Sequence, residues 1–201
     1  INGKSEGNPH DDVERAGVII VKDFGQDELN KPGSRYGVIV GHDGNFDFWN
    51  FQAGKCEKWH KFTSKTASEE LKEETAGTIL ISPQEIAKQP YIYSAKKQLF
   101  FVRKDDTEIE TIKSACIAAR SNPQLPRSWQ EIDDVDTISL PDLIQVASEI
   151  QNQHLYQAQY DVPSRTTNRT LKIDGYYMRM ITNKLPETVK ILNNLFVDAH
   201  F

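Results

Sequence analysis

The chain has few cysteines, no apolar run of membrane-spanning length and no surplus of basic residues. Its two cysteines, Cys56 and Cys116, are too few for a disulfide framework, so we expect a buried or inert thiol at each position. No apolar stretch approaches the roughly 20 residues that a membrane helix needs, and no signal peptide is recognisable. We therefore expect a cytoplasmic chain with no membrane partner, although residues ahead of Ile1 would bear on its targeting.

The charge balance restricts the classes of partner. The chain carries 24 Lys and Arg against 29 Asp and Glu, a net charge of −5. Broad affinity for nucleic-acid backbones requires clustered positive charge, so we expect no extended nucleic-acid partner. A small nucleotide substrate remains compatible with this charge, because a bound metal ion inverts the local field. A length of 201 residues suits one domain, or one domain with an appendage.

A dense acidic stretch is the most informative part of the sequence. On a helix, Glu70, Glu73 and Glu74 project from one face, because positions i, i+3 and i+4 are neighbours. Each such pair of like charges costs about 0.2–0.5 kcal/mol. Hard divalent cations take oxygen ligands and remove that repulsion. A solvated charged face is the competing interpretation, but a preceding strand-like run and the flanking glycines Gly54 and Gly77 favour a metal site.

The stretch from Gly54 to Gly77 resembles the Nudix box. The pattern of that family is a Gly, a Glu six residues later, and then Arg-Glu-apolar-any-Glu-Glu-any-Gly-apolar. The residues that match it are Gly54, Glu70, Leu71, Glu73 and Glu74.

The chain departs from this pattern at several positions. His60 stands where the first Glu is expected, and Glu69 stands where the Arg is expected. One extra residue lies between His60 and Glu70. Another lies before Gly77, because the usual spacing would put that Gly at Ala76.

The resemblance implies a Mg²⁺- or Mn²⁺-dependent hydrolase that cleaves a diphosphate linkage in a nucleoside diphosphate derivative or a similar small molecule. It implies an α/β fold of the α+β sandwich type, with a mixed sheet between helices. Metal ligands would be Glu70, Glu73, Glu74 and the carbonyl of Ala53. The alternative is a catalytically impaired Nudix-like module that binds a nucleotide or a protein partner.

The roles of individual residues follow from the same resemblance. Glu73, ranked just ahead of Glu70, would accept the proton of the attacking water. Gly54 would let the backbone approach the substrate, and Arg35 and Lys55 are candidate phosphate contacts, with solvent exposure as the alternative for both.

Several further residues are weaker candidates. Glu57 and His60 flank the loop as outer ligands, although surface solvation is favoured for both. Glu108, Glu110 and Glu131 are candidates by location for a further acid, against the interpretation of an exposed acidic loop.

Periodicity and turn residues predict the order of elements. We expect a lead-in over 1–12, a domain over 13–158 and an extension over 159–201. The predicted strands are 16–21, 35–41, 46–51 and 78–81, with a hairpin over 91–102. The predicted helices are the acidic one that contains Glu70, Glu73 and Glu74, and those over 84–88, 112–120 and 142–157. A turn at 42–45 joins the second and third strands, and Thr63, Ser64 or a capping box at 66–69 is expected to begin the acidic helix.

The tail beyond residue 158 lies outside the resemblance. Residues 171–178 are interpreted as a hairpin about Asp174-Gly175, followed by an amphipathic helix after Pro186. The tail would pad the domain, form a homodimer surface or cover the substrate. Tyr176 and Tyr177 would stack on a base, or pack on a strand face as such residues more often do.

Overall fold

The computed structural model describes residues 12–154 and 156–201, so the predicted lead-in lies outside it apart from Asp12. The strands are β1 Arg15–Asp23, β2 Tyr36–Asp43, β3 Phe48–Asn50, β4 Gln52–Lys55, β5 Tyr91–Ser94, β6 Lys97–Arg103, β7 Ile132–Ser139, β8 Gln159–Pro163 and β9 Thr170–Asp174. The helices are α1 Thr63–Glu74, α2 Pro83–Ile86, α3 Ile109–Arg120, α4 Leu140–Gln153, α5 Gly175–Asn183 and α6 Leu185–Leu195.

The nine strands form one mixed sheet with helices on both faces, which confirms the predicted fold class. The sheet runs β5-β6-β1-β2-β3-β9-β8, while β4 pairs with β1 and β7 pairs with β2. Strand β1 is parallel to β6 and antiparallel to β2 and β4. Strand β1 is therefore the central strand of this part of the sheet, because it pairs with three others.

The two faces of β1 belong to two hydrophobic layers, since side chains alternate along a strand. Ile19 and Val21 pack with residues of α4, α5 and α6. Val18 and Ile20 pack with residues of α1 and α3. Burial on both faces explains why the sequence of β1 is an unbroken apolar run.

Two predictions around α1 are wrong. The N-cap of α1 is Phe62, which has no capping side chain, and the hydroxyl of Thr63 donates instead to Gln98 Oε1 at 2.8 Å. Thr66 is likewise engaged, with its Oγ1 2.8 Å from His60 Nδ1. Residues 78–81 form no strand in the described chain, because the turn after α1 leads them across the helix, where Ser68 donates to the carbonyl of Ile81.

The C-terminal extension contains a hairpin, but not the predicted one. Its strands are β8 and β9, and β9 joins the main sheet in parallel with β3 at Trp49 and Ile173. Asp174 does not turn the chain back; it accepts a hydrogen bond from the backbone N–H of Tyr176 at 2.7 Å and begins α5. Because Asp favours both turns and helix N-caps, the sequence pattern alone does not distinguish them.

Most of the remaining elements agree with their predictions. The hairpin β5–β6, the short α2, and α3 and α4 lie where expected, although the predicted 46–51 strand is reduced to β3 and α4 begins at Leu140 and ends at Gln153. Helix α6 begins just before Pro186 and buries Leu192. None of the helices in residues 12–154 and 156–201 is long and apolar enough to cross a membrane.

Candidate functional site

A cavity of about 830 Å³ opens where β1 and β4 meet α1 and α5. Helix α1 is anchored by Ala67 and Leu71, which are fully buried, so its acidic face turns towards this cavity. The predicted site residues that line it are Ala53, Gly54, Lys55, Glu57, His60, Glu70, Glu73, Glu74, Glu131, Tyr176 and Tyr177. Residues that are distant in sequence therefore line the same cavity.

Two glutamates of α1 lie directly against strand β4. A Cβ atom at position 54 would lie 2.2–2.4 Å from the carboxyl atoms of Glu70, so only glycine leaves room for that carboxylate. Glu74 Oε2 accepts a hydrogen bond from the backbone N–H of Ala53 at 3.1 Å. Strand β4 thus positions both side chains.

Three carboxyl groups on one side of the cavity, those of Glu70, Glu74 and Glu131, have raised pKa values. Burial, followed by the charges of Glu73 and Glu131, raises the pKa of Glu70 to about 8. Burial and the charge of Glu70 raise the pKa of Glu74 well above its ordinary value, despite the hydrogen bond from Ala53. Burial and the charges of Asp43 and Glu73 also raise the pKa of Glu131. A cation that entered this cluster would relieve both the repulsion and the loss of solvation.

The donor set fits a hard divalent cation in its chemistry. Carboxylate oxygens and a backbone carbonyl are the ligands that Mg²⁺ and Mn²⁺ prefer. Among residues 12–154 and 156–201, no group of three or more His, Cys, Asp or Glu side chains is positioned to hold a metal ion. Glu70 and Glu74, the two carboxyl groups held against β4, would be the principal ligands.

The two departures from the Nudix pattern contact each other. His60 Nε2 lies 2.8 Å from Glu69 Oε2, a close contact that is not aligned as a hydrogen bond. The side chain of His60 is only 4% exposed, so the expectation of surface solvation is wrong for this residue. Glu69 also pairs with Lys65 one turn earlier in α1. The contact fixes the loop before α1 to the helix itself.

Arg35 lies outside the cavity lining. Its guanidinium donates to both carboxyl oxygens of Asp23, at 2.8 and 2.7 Å, and stacks over the ring of Tyr36. Asp23 ends β1, whereas the cavity is at the beginning of that strand. Arg35 is therefore removed as a candidate for binding substrate in this cavity.

Of the three later acids, only Glu131 lines the cavity. Glu108 is the residue before α3 and borders a separate shallow pocket, and Glu110 lies in the first turn of the same helix. The thiol of Cys116 is buried and its pKa is raised to about 11, as expected for an inert cysteine.

Sequence reasoning identified Lys55, Tyr176 and Tyr177 but missed the other cations and aromatic rings of the cavity. Arg15, Lys96 and Lys97 line it, and strand register brings Arg15 opposite Lys97. Phe46 and Trp59 also line it, and they are exposed by 70% and 76%. No local signal identifies the cations, since strand pairing over about 80 residues brings them together.

The ring of Phe46 stacks on that of Phe48 with centroids 6.0 Å apart. Both residues stand in a segment interpreted as a half-buried strand, in which alternation marks one face but not the presence of a cavity.

Comparisons of the sequence with protein-family models and with curated proteins found no match. The geometry of the cavity is therefore the main basis for a functional argument.

Proposed function

We propose that this chain is a Mg²⁺- or Mn²⁺-dependent pyrophosphohydrolase that cleaves a diphosphate linkage in a nucleoside diphosphate derivative. The observation that carries the proposal is one cavity lined by buried carboxylates, by cations and by exposed aromatic rings. These are the groups needed for a metal ion, for phosphates and for a planar base. The resemblance of residues 54–77 to the Nudix box supports the same activity.

The carboxylates supply the metal-binding part. Glu70 and Glu74, held against β4, would be the principal ligands, and the Ala53 carbonyl and Glu73 would complete the set. When bound, the metal ion neutralises charge on the diphosphate and lowers the pKa of bound water.

Proton transfer and substrate binding fall to neighbouring residues. Glu73 lines the cavity and is the first candidate to accept a proton from the attacking water, with Glu70 the second. Lys55 at the end of β4 would bind phosphate oxygens through charge-assisted hydrogen bonds. Gly54 leaves the space that the carboxylate of Glu70 occupies.

The aromatic residues would hold the organic part of the substrate. Phe46 and Phe48 already stack on each other, and Trp59 is exposed in the same cavity. Flat aromatic faces bind nucleobases through stacking with little loss of side-chain entropy. This favours a nucleoside derivative over a substrate without a planar group.

The test is a screen of diphosphate compounds with Mg²⁺ or Mn²⁺, followed by Glu73→Gln. We expect Glu73→Gln to keep the fold and to lower turnover by about 10²–10⁴-fold, the usual contribution of a general base. Mass spectrometry of the products measures the rate. Glu187→Gln is the matched control, because Glu187 lies on α6 outside the cavity lining. Equal turnover by the Glu73 variant and the unaltered chain would remove Glu73 from the proposal, and tight binding without metal or hydrolysis would favour a binding module.

A further inference from the structure

Three cations stand side by side across three neighbouring strands at one end of the cavity. Arg15 of β1 pairs in register with Lys55 of β4 on one side and with Lys97 of β6 on the other. Directly opposed residues project to the same face of a sheet, where like charges destabilise the pairing. All three residues line the cavity. We refer to Lys55, Arg15 and Lys97 as the cationic row.

The cationic row has little compensation from the protein. Within the described part of the chain, none of its members makes an ion pair within 4 Å, whereas the neighbouring Lys96 pairs with Glu14 at 2.9 Å. Lys97 instead donates to the carbonyl of Ala95 at 3.2 Å and lies 5.2 Å from the ring centre of Tyr176. The row is therefore not neutralised by close contacts.

Charged groups of α1, α5 and β9 surround the row. Burial and the charges of Arg15 and Arg179 lower the pKa of Lys97, so the cations crowd one another. Asp174 and Glu70 act on Arg15 from a distance. Asp174 already accepts the N-cap hydrogen bond of α5, and Glu70 belongs to the carboxylate cluster. An incoming anion would thus find cations that are available.

A buried hydroxyl points to the same ligand. Tyr177 is 2% exposed, lines the cavity and lies beside Arg15. Arg15 is close enough to the hydroxyl oxygen of Tyr177 to act as a hydrogen-bond donor, but no aligned acceptor for the hydroxyl proton lies in the described chain. The guanidinium of Arg15 is a donor only, so it cannot accept the proton of Tyr177 in any orientation. A buried O–H group without an acceptor is unfavourable, and an anion would supply that acceptor.

We propose that Arg15, Lys97 and the hydroxyl of Tyr177 form an anion subsite that binds a second acidic group of the substrate, a phosphate or a carboxylate, beyond the cleaved linkage. This inference rests on the proposed function for the rest of the ligand. Lys55 contacts the diphosphate itself, so the cationic row bridges the two groups. The preferred substrates are then nucleoside diphosphate derivatives whose far portion is acidic rather than neutral.

The first experiment measures anion binding without catalysis. Inorganic pyrophosphate is titrated calorimetrically into the full chain in EDTA, and the same is done for Lys97→Gln and Arg15→Gln. We expect each variant to bind about tenfold more weakly, because each loses one charge-assisted hydrogen bond. Lys190→Gln, on α6 outside the cavity lining, is the control and should bind like the unaltered chain. No binding by the unaltered chain, or equal affinity in the row variants, overturns the proposal.

Tyr177→Phe separates ligand binding from packing. The variant keeps the ring and removes only the hydroxyl, so we expect several-fold weaker pyrophosphate binding with no fall in the midpoint of thermal unfolding. A purely structural hydroxyl would instead lower that midpoint and leave the affinity unchanged. That result would exclude Tyr177 from the subsite.

The second experiment identifies the acidic group by comparing matched substrates. UDP-glucuronate is compared with UDP-glucose for a carboxylate, and a dinucleoside tetraphosphate with the triphosphate for a phosphate. We expect kcat/KM to favour the more acidic member of at least one pair about tenfold, and Lys97→Gln to abolish that preference. Equal kcat/KM within both pairs overturns the subsite. Row-dependent binding in EDTA with no hydrolysis of any compound would support the subsite and remove the proposed function.

Discussion

At the scale of single residues, His60 and Glu69 show how two departures from a motif can be one feature. Considered separately, each is a loss, of a glutamate at one position and of an arginine at the other. In the structure the two side chains are in contact at 2.8 Å, so the residues at the two positions pair with each other. The two departures are therefore coupled, and Glu70, Glu73 and Glu74 remain on the cavity wall.

Gly54 and Gly17 allow a matched test, because an added Cβ atom would meet a side chain at position 54 and a paired strand at position 17. Gly54→Ala would bring a methyl group onto the carboxylate of Glu70, the mobile end of a side chain. We expect the fold to persist and hydrolysis to fall at least tenfold, because Glu70 must leave its place. Activity assays and the midpoint of urea unfolding measure the two effects.

Gly17→Ala provides the contrast. Its Cβ atom would lie 2.2 Å from Ala53 Cβ and 2.3 Å from the carbonyl oxygen of Gln52, which belong to the paired strand β4. Since the backbone has to move, we expect a loss of about 2 kcal/mol or more in the free energy of unfolding. Unimpaired hydrolysis by Gly54→Ala would show that the position of Glu70 does not matter for activity.

At the scale of elements, the end of α1 explains the misplaced glycine of the motif. Ala76 and Gly77 both have left-handed backbone conformations, with φ of 48° and 76°. The position at which the motif expects glycine thus needs the conformation that glycine adopts readily. The extra residue lengthens the turn after α1 by one residue in the left-handed conformation.

We expect Ala76→Gly to raise the free energy of unfolding by up to about 1 kcal/mol, because relief of the left-handed conformation outweighs the greater freedom of the unfolded chain. Gly77→Ala should lower it by about 1–2 kcal/mol, since the new methyl group also approaches Trp129 at 3.3 Å. Urea unfolding measures both. Destabilisation by Ala76→Gly would mean that the packing of the Ala76 methyl group outweighs the strain.

The elements also show which parts of the fold and site are predictable from sequence. Glu70, Glu73 and Glu74 come from one helix, so local spacing is enough to group them. Arg15 and Lys97 meet only through the register of β1 and β6, which no local pattern specifies. The same limit explains the assignment of Arg35, whose partner Asp23 lies at the opposite end of β1 from the cavity.

Errors in individual elements arose where one residue type serves two purposes. Asp174-Gly175 is a good turn signal, yet the structure uses Asp174 as an N-cap. Thr63 has a hydroxyl suited to capping, yet it donates a hydrogen bond to Gln98 in strand β6. Tertiary partners decided both cases, and a sequence window does not contain them.

At the scale of the whole molecule, the buried carboxyl groups link stability to pH. The pKa of Glu70 is about 8 in the folded chain against 4.5 for an ordinary Glu, so between these values the unfolded chain has released a proton that the folded chain retains. The free energy of unfolding should therefore fall as pH rises from about 4.5 to 8, by at most about 1.4 kcal/mol per pH unit for this group.

Urea unfolding in EDTA at pH 5, 6.5 and 8 measures this dependence. Glu70→Gln should reduce the slope, although Glu74 and Glu131 titrate in the same direction and keep part of it. Mg²⁺ should restore stability at pH 8, because it binds the ionised folded form. If the free energy of unfolding depends on pH in the same way in Glu70→Gln and in the unaltered chain, Glu70 is not a source of the pH dependence.

The joint between β3 and β9 has a further consequence. These strands meet in register only at Trp49 and Ile173, and beyond them the extension contributes Tyr176 and Tyr177 to the cavity wall. A ligand that contacts both those tyrosines and the glutamates of α1 would stabilise the short pairing of β9 with β3. Slower amide hydrogen exchange in β8 and β9 after addition of a ligand would then show that the ligand occupies the cavity, even if the compound is never cleaved.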